Sequence, residues 1–310
     1  MEHRKLGNSG LEVSEIGLGA DTFGWYVDEQ TSIAIINHSL DLGINYIDTA
    51  NIYGGQGQSE KFVGKAIKGK RSQVLIATKF RSAMGKGPNE SGGSRHHIMS
   101  AVDASLKRLN TDYIDLYQIH SPDPTTPIEE TLRALDDLIH AGKVRYIGCS
   151  NFAAWQLCEA LWVSKVNNLY SFITEQPQYS LIDRHIEQDL VPCCQAYDIG
   201  VIPFYPLAAG FLTGKYRRDE ALPAGTRFNI DSTYTKILSD ANFDKLDKLQ
   251  AFASQHNHSI AELAIAWILS HPWVSTVIPG ATKIEQVSAN VAAAEWKLTA
   301  NEIAQLEEIS

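Results

Sequence analysis

The sequence predicts an α/β protein, a single (β/α)8 TIM barrel spanning residues 1–310 with an N-terminal hairpin and extra helices. Three observations carry this. A short apolar strand, a loop and an amphipathic helix recur eight times along the chain. Helical stretches stop at Gly43, Gly142 and Gly200, each directly followed by a strand. At 310 residues the chain suits one barrel, a fold of about 250 residues and often more.

Taken in order, residues 3–14 alternate polar and apolar around Gly7-Asn8-Ser9-Gly10, which reads as a hairpin plugging one end of the barrel. Strands are expected to begin near Ile16, Ile44, Val74, Ile114, Val144, Phe172, Val201 and Thr276. Stripes such as Ile33/Ile36/Leu40 and Ile98/Val102/Leu106 mark helices between them. Capping boxes are expected at Thr126-x-x-Glu129, Ser259-x-x-Glu262, Thr282-x-x-Glu285 and Thr299-x-x-Glu302. Residues 81–94, with four glycines, and 206–240, with Pro and Gly, break the rhythm after strands three and seven. Both fall on the face where barrel enzymes keep their chemistry, so they read as mobile lids. Two helices, from about 283 and 299, close the chain.

Composition narrows the function. A net charge of −9 argues against nucleic acid and against a polybasic membrane patch. No run approaches the ~18 apolar residues that span a bilayer, and MEHRKLGNSG lacks an apolar signal core, so a cytoplasmic protein is expected. Cys149, Cys158, Cys193 and Cys194 offer no metal or redox spacing and read as reduced, mostly buried thiols. A small-molecule partner remains, with a monomer or weak homo-oligomer as the expected state.

In a barrel the strand ends converge on one mouth. Strand two, Ile44 to Ile47, ends at Asp48, with Tyr53 in the Gly-rich turn beyond; strand three ends at Lys79, and strand four, IDLYQIH, at His120. Strand five ends at Ser150 and Asn151, strand six at Gln176 and strand seven at Phe204. An acid, a lysine, a phenol and an imidazole on three adjacent strands suit proton transfer. Tyr53 is the phenol with a proton to give, and Asp48, Lys79 and His120 stand at the neighbouring strand ends.

With these residues, GLEVSEIGLG, NYIDTANIYG, LIATKF, DLYQIHSPD, GKVRYIGCSNF, TEQPQYSLIDR, PLAAGFLTGKY and IPGATKIEQVSANV, the chain resembles the aldo-keto reductase superfamily over nearly its whole length. The resemblance implies NAD(P)H-dependent reduction of aldehydes and ketones, with NADPH favoured over NADH and no metal. It implies Asp48, Tyr53, Lys79 and His120 as the catalytic tetrad. Ser150, Asn151 and Gln176 would hold the nicotinamide carboxamide and Phe204 would stack on its ring. The 206–215 loop, with Pro206, Leu207 and Lys215, would cover the pyrophosphate, and Gly280, Thr282, Lys283, Gln286 and Asn290 would surround the 2′-phosphate. Tyr205 and Ala289 depart from what many relatives carry, Ser and Glu respectively. The Rossmann fingerprint is absent: Gly17-x-Gly19 is followed by Thr22.

Two other readings compete. A metal-dependent hydrolase would need clustered His and acids, but His96-His97 and His256-x-His258 read as solvated helical residues. A cofactor-binding regulatory or sensor subunit is the alternative of another class; the complete tetrad, and no N-terminal extension in the sequence as read, favour the enzyme. Phe23 and Trp25, with Tyr26, are expected to form an apolar substrate wall beside Tyr53 and His120. With the flexible 81–94 loop opposite and no long tail after Ser310, broad aldehyde specificity is expected, with ketones slower.

Overall fold

The computed structural model describes residues 1–230 and 232–309. Its first element is an antiparallel hairpin of β1 (His3–Lys5) and β2 (Glu12–Ser14), paired from His3↔Ser14 to Lys5↔Glu12. There follow β3 (Leu18–Gly19), α1 (Glu29–Asp41), β4 (Tyr46–Asp48), α2 (Gln58–Ala66), β5 (Leu75–Phe80), α3 (Arg95–Leu109), β6 (Ile114–Ile119) and α4 (Ile128–His140). The second half carries β7 (Val144–Ser150), α5 (Ala154–Asn167), β8 (Phe172–Gln176), α6 (Leu190–Ala196) and β9 (Gly200–Val201). Then come α7 (Arg227–Ile230), α8 (Asp240–Gln255), α9 (Ile260–Leu269), α10 (Ile284–Ala293) and α11 (Ala300–Ile309).

Strands β3 to β9 form one parallel sheet in sequence order. The expected eighth strand near Thr276 is instead a segment of parallel bridges, Val201↔Val274 on one side and Ile16↔Val277 and Gly19↔Gly280 on the other. Gly17 N–H donates to Val277 O at 2.8 Å and Ser275 N–H to Val201 O at 2.9 Å, so this segment joins both sheet edges and the barrel closes. Pro279 lacks an N–H and can accept only, from Gly19 at 3.1 Å, which keeps the segment from becoming a regular strand.

The barrel interior is filled by Tyr46, Ala77, Leu116, Ile173, Ile202 and Ile278, and Leu6 and Val13 of the hairpin pack against them. The plug is tight enough to require glycine at the contact. A Cβ on Gly7, at φ +57°, would stand 2.1 Å from Ile173 O, and one on Gly200 would stand 2.6 Å from Gly7 N. Gly200 therefore serves close packing and is not the helix stop expected of it; Asp198 takes the left-handed turn, at φ 54°. Gly43 and Gly142 do hold left-handed turns, at φ 86° and 73°.

Capping boxes form at Ser259/Glu262 and Thr299/Glu302. The other two expected boxes do not. Thr126 Oγ1 donates to Asp123 Oδ2 at 2.8 Å and α4 starts behind Pro127, which needs no N–H partner there. At α10, Lys283 is the N-cap and Gln286, not Glu285, reaches back to it. No helix among the described residues is long and apolar enough to cross a membrane.

Candidate active site

Parallel register decides which side chains meet at the mouth. Asp48 pairs beside Ala77 and Gly19, while Lys79, two residues farther along β5, pairs beside Gln118, so they face inward at successive levels of neighbouring strands. Lys79, fully buried, forms an ion pair with Asp48 Oδ1 and donates to Thr49 O at 3.1 Å and Tyr53 Oη at 3.3 Å. Asp48 Oδ2 in turn accepts from Gln176 Nε2 at 2.8 Å and Gln118 Nε2 at 3.3 Å. Such a buried pair persists because its remaining lone pairs and protons are satisfied. His120 stands edge-on to Tyr53, their ring centroids 5.6 Å apart.

The electrostatics differ from those of an isolated lysine beside a phenol. Burial pushes the Tyr53 hydroxyl well above its ordinary range, and Asp48 adds to the rise. The Tyr53 phenol therefore stays protonated in the resting protein. His120 is driven down to about 3 by burial, then by Lys79 and Arg81, so its imidazole is neutral at ordinary pH.

From Tyr53 and His120 a cavity of about 420 Å³ runs past Ser150, Asn151, Gln176 and Phe204 to Gly280, Thr282 and Gln286. Pro206, Leu207 and Lys215 of the expected covering loop line it. Asn151, at φ 60°, donates to His120 O at 3.0 Å, while Ser150 Oγ donates to Gln176 O at 2.7 Å. Tyr205, Ala208 and Ala209 adopt positive φ of 55°, 47° and 56°, a run that costs backbone energy and is kept where a loop must wrap a ligand. An elongated cavity with amides and a ring at one end and Lys215 and Arg227 farther along suits a ligand carrying both an amide and phosphates.

Several expected residues lie elsewhere. Phe23 is fully buried in the core and Trp25 is 58% exposed; neither lines the cavity, because the loop turns Asp21, Thr22 and Tyr26 toward it instead. Lys79 lies behind Asp48 and Tyr53 and touches the cavity only through them. Lys283 and Asn290 sit beyond the lining, Asn290 buried within α10. No residue of 81–94 lines the cavity; that loop is held by Met84 N–H to Glu90 O at 2.9 Å, Gly92 N–H to Arg81 O at 2.9 Å and Gly93 N–H to Asp123 Oδ2 at 2.7 Å. The anion site expected at the start of α10 is filled from within: Gln286 Oε1 accepts from Thr282 N–H at 2.7 Å and from Lys283 N–H at 3.2 Å.

Other residues had no place in the expected site. Gln118 was legible, since it stands two residues before His120 on the same inward face of IDLYQIH. For Arg227 the sequence leaves open whether the long loop brings it to the site: it reaches Asp21 at 2.6 Å across 206 residues and lies 5.2 Å over the Tyr205 ring, whose hydroxyl is 2.5 Å from that of Tyr234. Of the histidines read as solvated, His97 is buried and His258 stacks on Trp296 with ring centroids 4.1 Å apart. No group of three or more His, Cys, Asp or Glu among the described residues is arranged to share a metal ion.

A model of the Aldo/keto reductase family matches residues 15–310. A probable voltage-gated potassium channel subunit beta of Oryza sativa subsp. japonica is 40% identical over 301 residues, covering 94% of this chain and 91% of that protein. Versiconal hemiacetal acetate reductase of Aspergillus parasiticus is 37% identical, covering 99% of this chain and 96% of that protein. L-glyceraldehyde 3-phosphate reductase of Escherichia coli O157:H7 is 33% identical, covering 99% and 92%.

Proposed function

The chain belongs to the aldo/keto reductase family, and from that premise we propose that it is an NADPH-dependent oxidoreductase reducing aldehydes, and ketones more slowly, to alcohols. The observation that carries this reading is the meeting of a protonated Tyr53 and a neutral His120 on one cavity wall, with the Lys79–Asp48 pair directly behind.

A bound nicotinamide cofactor supplies the hydride; Ser150, Asn151, Gln176 and Phe204 are the residues suited to its nicotinamide end, and Lys215, Arg227 and Thr282 to its phosphates. The chain's own task is the proton. As negative charge develops on the substrate oxygen, Tyr53 Oη gives up its proton, and Lys79 Nζ at 3.3 Å stabilises the phenolate as it forms. Gln118 and Gln176 fix Asp48, which pairs with Lys79 and holds its ammonium aimed at Tyr53 Oη. His120, uncharged, donates a hydrogen bond to the same oxygen and orients the carbonyl without competing as an acid.

The test is to follow NADPH consumption by purified protein over a panel of aldehydes, ketones, sugars and dicarbonyls, sugar phosphates included. Turnover of simple aldehydes supports the reductase. The potassium channel beta subunits among the relatives motivate a second reading, a cofactor-binding sensor. Tight NADPH binding with no turnover of any carbonyl would favour it.

A further inference from the structure

The four cysteines fall in two neighbouring β/α units, on β7, α5 and α6, outside the cavity. Their surroundings divide them. Cys149 and Cys194 are buried, and burial pushes both thiols up. Cys158 on α5 and Cys193 on α6 are half-buried, and their Sγ atoms lie 3.1 Å apart. Cys193 Sγ also donates to Ala154 O at 3.7 Å, so it sits under the first turn of α5, three residues after Asn151. No other pair of sulfurs among the described residues is in hydrogen-bond contact.

We propose that Cys158 and Cys193 form a site of reversible oxidative cross-linking, with a hydroperoxide as the oxidant. The adjacent Cys194 faces inward, so the spacing along the chain hides a pair that only the packing of α5 on α6 creates. In the reaction one sulfur attacks an oxygen of hydrogen peroxide, breaking the O–O bond to give a sulfenic acid and water. The second sulfur then attacks the sulfenic sulfur and forms the S–S bond. The hydroxide that leaves takes up a proton as a second water. Two thiols and one peroxide thus give one disulfide and two waters, the sulfurs losing the two electrons that the peroxide oxygens gain. Closure to a bond length of about 2.05 Å requires the sulfurs to approach by roughly 1 Å, within the reach of side-chain rotation and a small helix shift. Burial, followed by the neighbouring Cys158, pushes Cys193 up to about 12, so Cys193 is a slow nucleophile that responds to sustained oxidant.

The cross-link would close a loop of more than thirty residues and tie the start of α5 to α6, which restricts the unfolded chain and raises thermal stability. The test treats the full-length protein with excess hydrogen peroxide, blocks remaining thiols after denaturation, and reads intact mass and linked peptides. Loss of two hydrogens per chain, a peptide joining Cys158 to Cys193, reversal by dithiothreitol and a melting temperature higher by several degrees are expected. Cys158→Ser and Cys193→Ser should each abolish the linked peptide, whereas Cys194→Ser retains it. The proposal is overturned if all four thiols persist, if oxygen atoms are added to cysteine without a cross-link, or if the link joins Cys149, Cys194 or two chains. The wild-type peptide map decides the matter even if a variant fails to fold.

Discussion

The two ends of the cavity are held by different means. At the proton-transfer end, Asp48, Lys79, Gln118 and Gln176 belong to β4, β5, β6 and β8, and hydrogen bonds through buried side chains lock them together. At the far end, the wall is a long loop whose Tyr205, Ala208 and Ala209 hold costly positive φ and whose Arg227 fastens to Asp21 by one ion pair at 2.6 Å. The first end is rigid and preorganised for charge that appears during reaction. The second is a loop fastened across the cavity from Arg227 to Asp21, an arrangement suited to admitting and releasing a large ligand. On the proposed function, chemistry falls to the strand ends and ligand capture to the loop.

Substitutions at each end sharpen this contrast. The largest effect is expected for Tyr53→Phe. Removing the phenolic proton donor at the strand end should lower kcat by about 10²- to 10⁴-fold while the NADPH dissociation constant, measured by fluorescence titration, changes by less than about threefold. Full turnover would sink the proposed mechanism, and a large loss of cofactor binding would move Tyr53 to the other end of the cavity.

Next in size is a pH effect within the rigid framework. Glu175, on β8 beside Gln176, accepts from Phe152 N–H at 3.0 Å and is raised by burial from 4.5 to about 7. The folded protein therefore binds more protons than the unfolded chain between these values, so stability from this group is present below pH 4.5 and is lost as pH rises through about 7. The loss should be on the order of 3 kcal/mol. Urea unfolding across that range should show Glu175→Gln without this slope; an unchanged slope would assign it to other groups.

The loop end should respond through ligand preference. Arg227→Ala is expected to reduce the preference for NADPH over NADH by about one to two decades, the worth of a charge-assisted contact of roughly 1.5–3 kcal/mol, and Lys283→Ala, outside the cavity lining, by less. Arg227→Ala should also accelerate cofactor release in stopped-flow measurements, since the tie to Asp21 goes with it. Equal use of both cofactors by the wild type would remove the basis for this prediction.

The smallest effects are expected at the substrate wall. Tyr26→Ala should change KM for aromatic aldehydes by about tenfold, within the ~1–3 kcal/mol that a group in an open apolar site contributes. Trp25→Ala should leave the same constants within about twofold, because its ring lies outside the cavity lining. A reversal of that order would restore the wall originally expected from the loop sequence.

The sequence by itself determined the barrel, the hairpin that plugs it and the strand-end positions of Asp48, Lys79, His120, Ser150 and Gln176. Each of these rests on short-range rules, alternation along a strand, helical periodicity and strand ends converging on one mouth, which a reader can apply within a dozen residues. Only the tertiary structure decided what the loops present. Tyr26 in place of Phe23 and Trp25, the bridge from Arg227 to Asp21, Gln286 in the start of α10 and the meeting of Cys158 with Cys193 depend on partners far apart in the chain or on loop conformation. The closing segment 274–280 belongs with them, because its bridges to β3 and β9 exist only once the sheet has curled far enough for its two edges to meet. A loop has no internal period to announce its direction, so its side chains are aimed by whichever distant surface satisfies their charges and hydrogen bonds.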